Sequence, residues 1–90
     1  MARDLKEVTA TGNVTAVVPA YLHSVTLTAG ADAASVVIKD GSSGAARLTL
    51  KAAASSTVTW RAGSADGVLF AAAIHATFTG TSPVADVEFD

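Results

Sequence analysis

The chain has 90 residues, a formal net charge of −2, no cysteine and 50% hydrophobic residues, of which twenty are alanine. This length predicts a single domain with a thin core, and the missing cysteines exclude disulfides and thiolate zinc sites. A weakly acidic chain has no basic field for nucleic acid, and no apolar run is long enough to span a membrane.

The first twelve residues predict an N-terminal arm and a first strand. Residues 1–6 carry three of the fourteen charged side chains and show no periodicity, whereas residues 7–11 alternate and end before Gly12. No apolar signal segment follows Met1, so we expect synthesis in the cytoplasm. We expect residues 1–12 to be free to order on a partner and residues 13–90 to form the folded domain.

The rest of the chain repeats short segments in which apolar and polar residues alternate. Period-two alternation is typical of half-buried antiparallel strands. The predicted strands cover residues 14–18, 21–29, 33–39, 45–51, 57–61, 68–79 (one kinked strand or two) and 84–89. Because turn residues recur every ten residues or so, we predict an all-β fold. It is a single small antiparallel β-sandwich of jelly-roll or immunoglobulin-like type, with seven to eight short strands.

One loop and the aromatic residues bear on possible ligand sites. The segment Asp40–Gly44 predicts a hairpin turn with a positive φ at Gly41, because the lysine and helix of a phosphate loop do not follow it. Trp60 alternates in phase with Val58, which predicts a buried tryptophan. The third strand is expected to place four residues on one face, so the aromatic residues are predicted to lie mostly in the core. These four are Tyr21, His23, Val25 and Leu27.

Residues that can carry chemistry are few and scattered. His23 precedes Ser24, but neighbours on a strand point to opposite faces, and His75 fits a surface histidine beside the core-facing Ile74. Three carboxylates share one face of the last strand, as on a polar outer face, although such a set can also bind calcium. They are Asp86, Glu88 and Asp90. We therefore predict no catalytic residue, no cofactor-binding residue and no metal ligand, and we expect the protein not to be an enzyme.

Four segments between the turns form a recognisable series. They are V-T-L-T-A-G-A-D-A-A-S-V-V-I-K-D-G-S-S-G from Val25, A-R-L-T-L-K-A-A-A from Ala46, G-V-L-F from Gly67 and A-T-F-T-G-T-S-P-V-A-D-V-E-F from Ala76. The series resembles short open reading frames among the virion morphogenesis genes of tailed bacteriophages, over residues 21–89. Pro83 and Ala85 depart from the glycine and β-branched run that is usual in the final strand of those frames.

The resemblance implies a small β-sandwich virion protein, similar to capsid cement or decoration proteins. It implies a viral structural protein that binds the major capsid protein lattice on the capsid surface and stabilises the assembled head, as a homotrimer at threefold positions. The alternative is a carbohydrate-binding or adhesion module of a phage tail or fibre, which needs an exposed aromatic side chain. Neither interpretation involves nucleic acid or a membrane.

Overall fold

A computed structural model describes residues 4–63 and 65–90, and this part of the chain folds into nine β-strands without a helix. It therefore contains no helix that could cross a membrane. Residues 1–3 of the predicted arm and Ser64 of the loop before Gly67 lie outside the described residues. The strands are β1 (Asp4–Val8), β2 (Gly12–Thr15), β3 (Ala20–Thr28), β4 (Ala34–Asp40), β5 (Ala46–Ala52), β6 (Thr57–Arg61), β7 (Val68–Phe70), β8 (Ile74–Thr79) and β9 (Val84–Phe89).

The strands form two antiparallel sheets, which confirms the predicted small all-β sandwich. The first sheet, sheet A, has the order β1-β9-β3-β6, and β7 extends the same edge of β3 beside β6. The second sheet, sheet B, has the order β2-β8-β4-β5. Both sheets turn the apolar side of their alternating strands inward, and the buried residues of both form one core. The largest fully buried side chains are Phe70, Leu22, Leu27, Ile38, Ile74, Val25, Val36 and Val87.

Residues 4–8 of the predicted arm and first strand form an edge strand of sheet A. β1 runs over residues 4–8, where the sequence predicts a strand over 7–11, and it pairs along its whole length with β9. Lys6 points to the inner side of this edge strand and donates a hydrogen bond to the carbonyl oxygen of Val14 in sheet B, at 3.2 Å. An inward lysine protects the open edge from pairing with another chain. Because only Val8 of this strand is buried, β1 has no apolar alternation to reveal it.

The segment 68–79 is two strands, β7 and β8, which lie in different sheets. The turn between them is held by Asp40 at the end of β4, whose carboxylate accepts hydrogen bonds from three consecutive amides. These come from Ala71 at 3.3 Å, Ala72 at 2.8 Å and Ala73 at 3.4 Å. The amide of Ala72 contributes most to holding the pKa of the Asp40 carboxyl below its ordinary value of 3.8. The prediction left one kinked strand or two open over this segment, and the structure has two; the described residues form nine strands where seven to eight are predicted.

The hairpin predicted at Asp40–Gly44 is confirmed. β4 and β5 pair antiparallel around it, and Gly41 has a φ of 87°, which favours glycine. The predicted burial of Trp60 is only partly right, because Trp60 and Val58 face the core but remain half-buried. Both residues lie on β6, which ends sheet A, so the opposing sheet covers their side chains incompletely.

Candidate functional site

A cleft of about 550 Å³ opens at the end of the sandwich where β3 begins. Its volume lies within the range of small-ligand sites, about 300–1,000 Å³. Six residues from three parts of the chain line it. Pro19, Tyr21 and His23 lie at or just before the start of β3, Ala65 and Asp66 lie in the loop between β6 and β7, and Asp90 follows β9. The cleft therefore combines one aromatic ring, one imidazole and two carboxylates.

A β-bulge in β3 decides which side chains reach the cleft. The register of β3 against β9 slips between Leu22, which pairs with Phe89, and Ser24, which pairs with Glu88. The slip inserts His23 as an extra residue, as bulges commonly do beside functional sites. Leu22 is consequently buried, and its neighbour Tyr21 is 37% exposed. The predicted common face of Tyr21 with the core residues of β3 is therefore wrong, because the bulge at His23 interrupts the alternation of the strand.

The bulge brings His23 to Asp90, 67 positions further along the chain. His23 is only 6% exposed, and its Nε2 lies 2.8 Å from Oδ1 of Asp90. The backbone of Asp90 is held at the same place by two hydrogen bonds with Tyr21. The Tyr21 amide donates to the Asp90 carbonyl at 3.1 Å, and the Asp90 amide donates to the Tyr21 carbonyl at 2.9 Å. The imidazole and the carboxylate are thus held together, and the backbone of Tyr21 is fixed beside them.

The loop from β6 to β7 rests directly on His23. Gly67 has a φ of 82°, and a Cβ atom at this position would lie 2.8 Å from the carbonyl oxygen of Leu22 and 3.0 Å from Cε1 of His23. Only glycine allows so close an approach in this conformation. The amide of Ala62, at the start of the loop, donates to the His23 carbonyl at 2.8 Å. This wall of the cleft is therefore built by backbone packing against the histidine.

The other candidate residues do not converge on a second site. Ser24 donates to Oε1 of Glu88 at 3.3 Å, whereas its neighbour His23 contacts Asp90, so the two residues engage different carboxylates. His75 is half-buried beside the buried Ile74, and its Nδ1 lies 3.0 Å from Oδ1 of Asn13. Within residues 4–63 and 65–90, no three histidine, aspartate or glutamate side chains are grouped as metal ligands.

Exposed apolar side chains gather at the same end of the molecule as the cleft. Strand register places Leu5, Tyr21 and Leu69 on the outer face of sheet A near the start of β3, since Leu5 pairs with Glu88 and Tyr21 pairs with Leu69. The loop that leads into β3 adds two valines. We call this set the apolar end: Leu5, Val17, Val18, Tyr21 and Leu69. Val17 is 81% exposed and Leu5 is 73% exposed.

A second depression, of about 390 Å³, lies at the opposite end of the sandwich. Alanines and the short side chains of Ser35 and Thr79 form most of its lining, and Lys51 is its one charged residue among the described residues. It provides a single cationic group and no aromatic ring, so it has fewer means of recognising a ligand than the cleft beside Tyr21.

Comparison with protein-family models, with curated proteins and with solved structures finds no match to this chain.

Proposed function

We propose that this protein is a structural component of a tailed-phage particle that docks on the assembled head lattice through its apolar end. The observation that carries the proposal is the clustering of Leu5, Val17, Val18, Tyr21 and Leu69 at one end of a 90-residue sandwich. Exposed apolar groups concentrated at one end of a small soluble domain are typical of an interaction surface. The phage resemblance supplies the partner, the lattice of the major capsid protein.

The mechanism is linkage between docking and assembly. A protein that binds only the assembled lattice stabilises that lattice in proportion to its occupancy. The apolar end provides the hydrophobic centre of the contact, because transfer of such side chains from water contributes about 25 cal/mol per Å² of buried apolar surface. Capsid lattices have threefold and quasi-threefold positions, so we propose a homotrimer as the docking form.

The opposite end of the domain is suited to a matched control. Val17 lies in the loop before β3, whereas Ala54 lies in the loop between β5 and β6, close to the other end of β3. Both side chains are exposed, so aspartate at either position leaves the core intact. The two variants therefore place the same charge at opposite ends of one folded domain.

The test measures binding to purified heads that lack this protein, by cosedimentation and by heat resistance of the loaded heads. Wild-type protein and Ala54→Asp are expected to saturate the heads and to raise their disruption temperature. Val17→Asp is expected to lower occupancy at least tenfold while it keeps the wild-type melting temperature. Equal binding by the two variants, or no binding of the wild-type protein to heads, would refute docking through the apolar end.

A further inference from the structure

We infer that the cleft beside Tyr21 is a binding site for a neutral saccharide, with the Tyr21 ring as the stacking surface and Asp90 as the main hydroxyl acceptor. This inference goes beyond the proposed docking function and does not depend on it. The two proposals share Tyr21 but differ in their other groups, because Val17 and Val18 do not line the cleft. The argument rests on the shape, polarity and rigidity of the lining.

The apolar side of the cleft is formed by Tyr21 and Pro19. Both are exposed, and the backbone of Tyr21 is held by its two hydrogen bonds with Asp90. The face of an aromatic ring carries partial negative charge, so it attracts the C–H groups on the apolar face of a pyranose. This exposed ring is the feature that a sugar-binding module needs, although the alternation of residues 21–29 predicts that it lies in the core.

The polar side is formed by two carboxylates, of Asp90 and Asp66. The contact with His23 uses Oδ1 of Asp90, and an ionised carboxylate can accept hydrogen bonds on both oxygens. Sugar hydroxyl groups donate to carboxylates through charge-assisted bonds, which are shorter and stronger than neutral ones. The buried His23 orients the acceptor before the ligand arrives, and such preorganisation lowers the cost of binding.

The charge of the lining selects a neutral ligand. The described residues that line the cleft include Asp66 and Asp90 but no lysine or arginine, so phosphates, uronates and sialylated sugars are repelled. Quaternary ammonium groups are recognised by cages of several aromatic rings, whereas this lining has one ring, that of Tyr21. A neutral saccharide matches one ring and two acceptors better than either kind of ion.

The test is a titration of ¹⁵N-labelled protein with a panel of sugars, followed by amide chemical shifts. The neutral probes are cellobiose, maltose, lactose and N,N′-diacetylchitobiose, and the charged probes are glucuronate, glucose 6-phosphate and choline. At least one neutral sugar is expected to give saturable shifts at Tyr21, Asp66 and Asp90. The inference would be overturned if no neutral probe gave saturable shifts, whether or not a charged probe did.

Variants assign the binding to this cleft. Tyr21→Ala is expected to weaken the affinity at least tenfold, and Tyr21→Phe is expected to keep it, because the ring face is retained. Asp90→Asn keeps an oxygen for His23 but removes the charge, and it is expected to weaken binding severalfold. Leu69→Ala is the matched control, since Leu69 is exposed and lies directly across from Tyr21 but does not line the cleft. If it weakened binding as much as Tyr21→Ala, the cleft assignment would be wrong.

Discussion

The adjacent residues Leu69 and Phe70 give the sharpest test of the fold, because β7 is only three residues long. Phe70 is fully buried, and Leu69 is 47% exposed on the outer face of sheet A. Truncating a buried phenylalanine to alanine costs about 3–5 kcal/mol, through lost transfer energy and the cavity left behind. A surface substitution usually changes stability by no more than about 0.5 kcal/mol.

These values separate the two variants clearly. For a domain of this size, 1 kcal/mol shifts the melting temperature by about 4–8 °C. Phe70→Ala is therefore expected to melt at least about 12 °C below the wild type. It is expected to remain unfolded if the free energy of unfolding of the wild-type domain is near the lower end of the usual range of about 5–15 kcal/mol. Leu69→Ala is expected to melt within a few degrees of the wild type. The guanidinium of Arg47 lies 5.5 Å from the Phe70 ring centre, and at this exposed side chain it adds only about 0.5–1 kcal/mol.

The assay is thermal and urea unfolding of both variants, followed by far-ultraviolet circular dichroism. A slip of β7 by one residue would exchange the two side chains between core and solvent. If Leu69→Ala proved as destabilising as Phe70→Ala, or if Phe70→Ala melted like the wild type, the pairing of β7 with β3 would be wrong.

Three further predictions concern the turn and the sheet edge. Gly41→Val is expected to destabilise the β4–β5 hairpin and lower the urea midpoint, because φ is 87° and a Cβ atom would lie 3.3 Å from the side chain of Ala72. Ser42→Ala is expected to leave the urea midpoint unchanged. Equal midpoints for the two variants would contradict the turn. The pKa of Asp40 is depressed in the folded state, so its stabilising effect is present above the ordinary value of 3.8 and is lost as the pH falls through the folded-state value. Asp40→Asn should therefore lower the melting temperature at pH 7 and flatten its decline in acid, and a decline as steep as that of the wild type would count against the amide contacts. Trp60→Ala is expected to lower the free energy of unfolding by less than the loss of a fully buried aromatic, about 3–5 kcal/mol, because Trp60 is half-buried. Tryptophan emission as blue-shifted as that of a fully buried ring would contradict this half-buried position.

Alternation was sufficient to predict most of the strands, the core-facing Ile74 of β8 and the polar outer face of β9. Asp86 and Glu88 face outward as predicted, and Val87 and Phe89, which alternate with them, are buried. Each of the strands β4, β8 and β9 has a neighbour on both sides in its sheet. The register shifts in their pairing insert the extra residue in the partner strand, so the alternation along β4, β8 and β9 is unbroken. Under those conditions, period two in the sequence becomes period two in burial.

The cleft could not be predicted by the same argument, because it depends on an irregularity. The apolar positions of β3 fall at Leu22, Val25 and Leu27, so the first interval is three residues and breaks the alternation. That break is the signal of the bulge, which a uniform alternation of residues 21–29 does not capture. Asp90 carries no local signal for its contact with His23, since only the pairing of β3 with β9 brings them together.

Edge position explains the remaining differences. β1 and β6 end sheet A, so each pairs on one side only. On β1 the inward position is taken by Lys6, which hides the strand from a search for apolar periodicity. On β6 the periodicity is clear, but the side chain of Trp60 is covered on fewer sides than that of a central strand.

Docking on the head lattice is tested most directly by electron cryomicroscopy of phage heads. The heads come from a phage that carries this coding sequence and from the same phage with the coding sequence deleted. Docking through the apolar end predicts additional density of a two-sheet sandwich at regular positions on the head surface, with Val17 and Leu5 turned toward the lattice. Its absence from the particle, or its presence only at the tail tip, would contradict docking on the head.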